Sequence, residues 1–230
     1  DLIILGAAGI GAVDGQWGST AARVLRMANC DVLLARRMPE NGGILVCIDG
    51  SEEAKRALAA SEQWARTFSK QITLGAVYDP YFHNRVLESL EGASSTYETS
   101  YHEEIYKAVE AHGDAESYGG QGHTAVQVSE TDGESQETDD DQGHDQMVDE
   151  GLARLYQSFL DRAVEKVAME PATQLIRGKP YQGLAEHSRE VSADFVIAGR
   201  NGLHKTEFSA LGSNAEGIAR LSETNVLITK

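Results

Sequence analysis

The chain has 230 residues, of which 41% are hydrophobic, enough for one large domain with a real core, and its formal charge is −16. No apolar stretch reaches the roughly 18 residues a membrane span needs, and no basic-then-apolar leader precedes a small-residue cleavage site, so the expectation is a cytoplasmic protein with no membrane partner. Two cysteines, Cys30 and Cys47, are too few for a disulfide framework and lack the close spacing of a metal or redox motif.

The charge is concentrated. Residues 81–146 hold sixteen Asp/Glu against two Lys/Arg, while the remainder holds twenty against eighteen. An acidic segment repels a nucleic acid backbone, and no basic stripe with interleaved aromatics occurs elsewhere, so nucleic-acid binding is not expected.

In chain order, DLIILGA opens at Asp1 as a buried strand without a preceding Met, which leads us to expect that a longer protein extends upstream. DLIILGAAG, from Asp1 to Gly9, matches DFVIAGRNG, from Asp194 to Gly202. After one residue of slippage GSTAARVLRMANCDVLLAR, from Gly18 to Arg36, matches GSNAEGIARLSETNVLITK, from Gly212 to Lys230. Each copy reads strand, glycine loop, helix, strand. ILVCIDG, from Ile44 to Gly50, reads as a strand buried on both faces. Ser51 then caps a helix whose Ala54, Ala57, Leu58, Ser61, Trp64, Ala65 and Phe68 lie on one face, with Glu52 and Glu53 at its positive end. QITLGAVYD at 71–79 is the next strand. A helix is expected from about Met147 to Ala168, striped by Val148, Leu152, Leu155, Phe159, Ala163 and Val167. TQLIRG at 173–178 is a third strand, a helix enters at Pro180, and DFVIAG and NVLIT supply the fourth and fifth strands.

Strands alternating with helices predict an α/β fold: an open, doubly wound, mainly parallel five-stranded sheet with helices on both faces, joined by a strand-helix-strand remnant of a second copy. Ligands on such sheets bind beyond the carboxyl ends of the strands, where Asp49, Val77 and Gly199 fall. Gly199, Gly202 and Gly212 are spaced G-x2-G-x9-G and followed by Ser213. Such glycines let main-chain amides and a helix start approach an anion, although packing at a strand-to-helix turn explains them equally well.

Other motifs fail. HEEIY at His102 has Tyr106 where a zinc protease needs its second His, GAAGIG has its glycines out of order for a dinucleotide fingerprint, and no P-loop is present. Ser51 and His187 read as a cap and a surface residue, not as catalytic partners. Five histidines, His83, His102, His112, His123 and His144, lie in or near the acidic segment, but their spacing matches no metal site, so no metal is expected. That segment reads as a solvated excursion with one short helix over residues 101–111.

The glycine pattern with its following serine resembles the ATP-binding signature of the nucleotide-binding universal stress proteins, and ILVCIDGSEEAKRAL resembles their first strand and helix. The resemblance covers residues 43–230 outside the acidic insertion, at about 81–146, and makes residues 1–40 similar to the last third of a second such domain. It implies ATP, with or without Mg, as the cofactor. Cys47, Ile48 and Asp49 would end the first strand with the acid on the nucleoside, and Val77 would touch adenine. Gly199, Arg200, Asn201 and Gly202 would follow the ribose and phosphates, and Gly212, Ser213 and Asn214 would cradle the phosphate tail. Arg200 and Lys205 would supply positive charge. The resemblance implies a stress or regulatory module rather than an enzyme, with pairing through the last strands, Val32–Ala35 and Val226–Thr229, in an oligomer or within the chain. The first copy, with Val13, Asp14 and Gln16 in its loop, is expected to hold no nucleotide. Two readings stay open beside this one: a nucleotide-free dimerisation scaffold, and a regulatory domain of a larger transporter or assembly.

Overall fold

The structure, a computed structural model, describes residues 1–7, 18–81, 139–203 and 210–230, with the side chains of the helix from Asp139 described from residue 149 onward. The first-copy loop residues Gly9, Val13, Asp14 and Gln16, residues 82–138 of the acidic segment with its short helix and HEEIY motif, the side chain of Val148, and Lys205 therefore lie outside the described residues, while the helix expected from about Met147 begins at Asp139, inside that segment.

Among the described residues seven strands and five helices follow one another as β1 (Leu2–Gly6), α1 (Ser19–Met27), β2 (Asp31–Ala35), β3 (Ile44–Cys47), α2 (Glu52–Phe68), β4 (Ile72–Tyr78), α3 (Asp139–Val164), β5 (Ala172–Arg177), α4 (Pro180–Glu190), β6 (Phe195–Gly199), α5 (Ser213–Leu221) and β7 (Asn225–Thr229). The chain divides into two units, residues 1–79 with 156–230, and residues 80–155. In the first, all seven strands form one sheet in the order β1-β2-β7-β6-β3-β4-β5. The five expected strands are present, and β1 and β2 continue the same sheet through the β2–β7 pair. The strand read through Gly50 ends at Cys47, because Asp49, Gly50 and Ser51 are taken up by a turn into α2.

Helices cover both faces. On one, Leu45, Val196, Ala198, Val226, Ile228, Val32 and Leu34 join a core with Ala21 and Leu25 of α1, Leu184 of α4, and Ala215, Ile218 and Ala219 of α5. On the other lies α2, which packs against β3, β6 and β7. Its sequence stripe is buried at Ala54, Ala57, Leu58, Ser61 and Ala65. Trp64 meets Phe195 edge-on with ring centroids 5.1 Å apart, and the half-exposed Phe68 stacks on the same ring at 6.0 Å. The Ser51 cap forms as the sequence indicates, its Oγ accepting from the Ala54 amide at 3.0 Å.

The two sequence repeats occupy the half of the sheet that contains β1, β2, β7 and β6. Within each repeat the strands are parallel, β1 with β2 and β6 with β7, and the two repeats meet through an antiparallel β2–β7 pair. Leu33 pairs with Leu227, its own counterpart in the repeat, and Val32–Ile228 and Leu34–Val226 flank them. A local twofold axis therefore passes between Leu33 and Leu227, the isologous arrangement of a symmetric dimer within one chain. The flanking bonds obey it. Arg36 N donates to Asn225 Oδ1 at 2.8 Å, and Lys230 N donates to Asp31 Oδ1 at 3.0 Å.

Candidate nucleotide-binding crevice

The chain leaves β3 through α2 toward β4 on one side, and leaves β6 through α5 toward β7 on the other, while β3 and β6 are themselves parallel neighbours. Their carboxyl ends thus flank a topological switch point, where connections diverge and leave a crevice. Asp49 follows β3 and the segment from Gly199 to Leu203 follows β6.

The two segments touch. A Cβ placed on Gly202 would stand 2.6 Å from Asp49 Oδ2, so no larger residue fits there while the carboxylate keeps its position. That position is set by the Asp-Gly-Ser turn. Asp49 Oδ1 accepts from Ser51 N at 3.0 Å and from Ser51 Oγ at 2.6 Å, and the main chain of Leu203 bonds to the same carboxylate. Gly50 between them has φ 84°, a left-handed value, with the Phe159 ring where a Cβ would project. Burial pushes the Asp49 carboxyl above its ordinary range; the Ser51 and Leu203 bonds oppose this without cancelling it, and the charge of Glu53 adds to the rise. Ser51 and Leu203 as supports of Asp49 were missed from sequence, although an Asp two residues before a Ser is a readable signature of a side chain turning onto its own backbone.

Cys47 ends β3 and Ile48 follows it. Burial, and then the nearby Asp49 charge, push the Cys47 thiol upward, which leaves it protonated and unreactive. The Ile48 amide donates to Gly75 O at 2.8 Å and its side chain is buried. Val77 is also in the core, packed against Gly183 of α4. Its side chain is therefore not what a ligand would meet. Main-chain groups of a strand alternate between its two edges, and Gly75, two residues earlier, turns its carbonyl to β3. The β3–β4 ladder ends at Cys47–Gly75, so the amide and carbonyl of Val77 point past the end of β3, toward the crevice.

On the β6 side, Gly199 lets the first turn of α2 come close, since a Cβ there would lie 2.6 Å from the Glu53 Cβ. Asn201 is only 8% exposed, and its Oδ1 has no partner among the described residues, an orphan acceptor beside the crevice. Gly212 caps α5 but does not offer its amide, which donates to Arg200 O at 2.9 Å. The cradle expected over Gly212, Ser213 and Asn214 thus shortens to the exposed first-turn residues Ser213 and Asn214. As the cap, Gly212 has no side chain to satisfy their amides.

Arg200 requires a correction. Its guanidinium does not extend along the phosphate path; it donates to the carbonyls of Ala210, Ala28 and Arg26, the last two at the carboxyl end of α1. Carbonyls at a helix end carry partial negative charge and lack intrahelical partners, which makes them strong competitors for a nearby cation.

A groove of about 590 Å³ lies at the opposite, amino ends of β3 and β6, bounded by Arg37, Gly42, Ser192, Asp194 and Glu223 among others. Its buried acid is already satisfied: Asp194 takes Lys70 Nζ at 2.5 Å and Glu40 N at 2.9 Å, with Arg37 3.8 Å away. None of the sequence-designated site residues borders it. Among the described residues no group of three or more His, Cys, Asp or Glu could hold a metal ion, and no helix is long and apolar enough to cross a membrane.

Solved structures share this architecture. A universal stress protein from Archaeoglobus fulgidus DSM 4304 matches over 100% of this chain and 62% of its own, at 16% identity and TM-score 0.55. A putative universal stress protein from Pseudomonas aeruginosa UCBPP-PA14 matches over 100% and 63%, at 14% identity and TM-score 0.59. UspA from Lactobacillus plantarum matches over 84% of this chain and 100% of its own, at 15% identity and TM-score 0.50. The chain thus spans less than two thirds of the longer of these proteins. No curated protein matches its sequence. The sequence model of the universal stress protein family matches residues 41–230, which include every strand from β3 onward and both walls of the crevice, and the chain belongs to that family.

Proposed function

We propose that the chain binds ATP in the crevice between β3 and β6 and serves as a regulatory, stress-response nucleotide module of the cytoplasm. The observation that carries this reading is the fit of Asp49 against Gly202: a half-buried carboxylate at the switch point, held by Ser51 and leaving room for nothing but a glycine opposite. A carboxylate so placed accepts from the two hydroxyls of a ribose. The Val77 amide and carbonyl would present one donor and one acceptor to an adenine edge, the unpartnered Asn201 Oδ1, beside Gly212, would accept from the ligand, and the open amides of α5 at Ser213 and Asn214 would receive the phosphates. Magnesium would arrive with the polyphosphate, since the described residues offer it no cluster of ligands.

The reading is a binding module with at most slow ATP hydrolysis, since the sequence names no positioned general base. Occupancy would alter the loop after β6 and thereby association. The antiparallel β2–β7 pair supports a tandem origin, residues 1–40 standing for part of one domain and residues 43–230 for another, joined as an intrachain pseudo-dimer.

Backbone amide shifts on titration with ATP test the site. Shifts centred on Val77, Asn201, Ser213 and Asn214 support it; shifts confined to the groove at Arg37 and Asp194 would move the ligand to the wrong end of the sheet, and no shifts at all would favour a nucleotide-free scaffold.

A further inference from the structure

We infer that Arg200 is a positioning residue that makes phosphate binding at the loop after β6 depend on the first repeat. The inference rests on the nucleotide reading of the crevice and adds to it a route by which occupancy is felt at the β2–β7 seam.

Arg200 gathers both ends of the glycine loop and both repeats. Its amide donates to Thr229 O at 2.9 Å at the end of β7, and its carbonyl accepts from the Gly212 amide at 2.9 Å where α5 begins. The guanidinium Nε donates to Ala210 O, just before that helix. Nη1 reaches Ala28 O at 2.5 Å and Nη2 reaches Arg26 O, both in the other repeat. A single planar group with donors fixed in a fork thus ties the loop's return to the carboxyl end of α1. Movement of the segment before Ser213 must be transmitted to α1 or must break these bonds.

The repeat supplies an internal comparison. The position equivalent to Arg200 is Ala7, whose main chain makes the same pattern: Ala7 N donates to Ala35 O at 3.0 Å and Gly18 N donates to Ala7 O at 2.8 Å. The caps also agree, with φ −70° and ψ 148° at Gly18 against −67° and 147° at Gly212. Main-chain shape therefore does not need the arginine. What Arg200 adds is the bridge across the seam, on one side of the pseudo-dimer only.

Titration of ATP and of adenosine into the wild-type chain, Arg200→Ala and Arg200→Lys, with exchange of the Ala28 amide followed by NMR, tests the inference. That amide is bonded to Val24 O at 2.8 Å and reports fraying of the α1 end. ATP is expected to slow its exchange in the wild type and to leave it unchanged in both variants. Both variants are expected to lose roughly tenfold in ATP affinity, an ordinary coupling between sites, while adenosine affinity stays near wild type. Arg200→Lys keeps the charge but cannot span three carbonyls, so ATP affinity restored by lysine would identify a direct charge on phosphate and overturn the positioning role. An Ala28 amide indifferent to ATP in the wild type would overturn it as well. Failure of the wild type to bind adenosine is a separate result, and it would overturn the reading of the crevice itself.

Discussion

The Asp49 carboxylate and Gly202 share one space: a Cβ on the glycine would come within 2.6 Å of Oδ2. Gly202→Ala is therefore expected to displace Asp49 or the loop, weakening adenosine and ATP alike by about tenfold, because it disturbs the nucleoside end that both ligands share. Fluorescence or calorimetric titration of both ligands checks this. A loss restricted to ATP would place the glycine at the phosphates instead.

Asp49 makes folding and binding depend on pH in opposite senses. Its folded-state pKa is raised, chiefly by burial, so the folded protein holds this proton more tightly than the unfolded chain does. Its contribution to stability is complete below the unfolded value, about 4, and is lost as pH rises through the higher folded value. Nucleoside binding needs the ionised acceptor and should strengthen over that same rise. Adenosine is the ligand to use, because it carries no titrating phosphate. Asp49→Asn should flatten the stability profile, measured by urea unfolding across the acid range.

Asp194 has the opposite sign. Burial pushes its carboxyl up, but the Glu40 amide, the Lys70 bond and the charges of Lys70 and Arg37 together outweigh that and hold it below the ordinary range. A depressed pKa stabilises the fold above the unfolded value, about 4, and the benefit disappears as pH falls through the folded one. Its side chain is 1% exposed and that of Lys70 is 11% exposed. Lys70→Met, which takes the nearest cation from a carboxylate that keeps the Glu40 amide and Arg37, should cost about 1–3 kcal/mol at neutral pH and less in acid, without changing adenosine affinity at the far end of the sheet.

The axis through Leu33 and Leu227 predicts an unequal pair. Leu227 is fully buried, whereas Leu33 is 7% exposed and its β1 neighbour Ile4 is 63% exposed. Leu227→Ala should cost about 2–5 kcal/mol by leaving a cavity, and Leu33→Ala should cost less because its site opens toward β1. Thermal unfolding of the two variants measures the difference. Equal costs would mean that Ile4 shields the seam as well as α2 does.

Much of this is legible in the sequence. The helical stripe from Ala54 to Ala65, the Ser51 cap and the strand runs are local patterns, and local patterns survive into the fold. The repeat was legible too, because Asp1–Gly9 and Asp194–Gly202 align by eye. What sequence could not fix was direction. An arginine beside two glycines suggests a phosphate, yet the carbonyls that take Arg200 belong to residues 26 and 28, more than 170 positions away. Val77 is next to last in β4, and only the β3–β4 register, with its side chain packed against Gly183, directs attention to its main chain. Gly212 could not be known to spend its amide on Arg200 until the loop was closed.

Calorimetric titration of ATP into the purified chain, beside Asp49→Ala, bears most directly on the central claim. Saturable one-to-one binding by the wild type, weakened tenfold or more when the carboxylate is removed, is the predicted result. Wild-type affinity in Asp49→Ala, or no heat of binding to either protein, would contradict it.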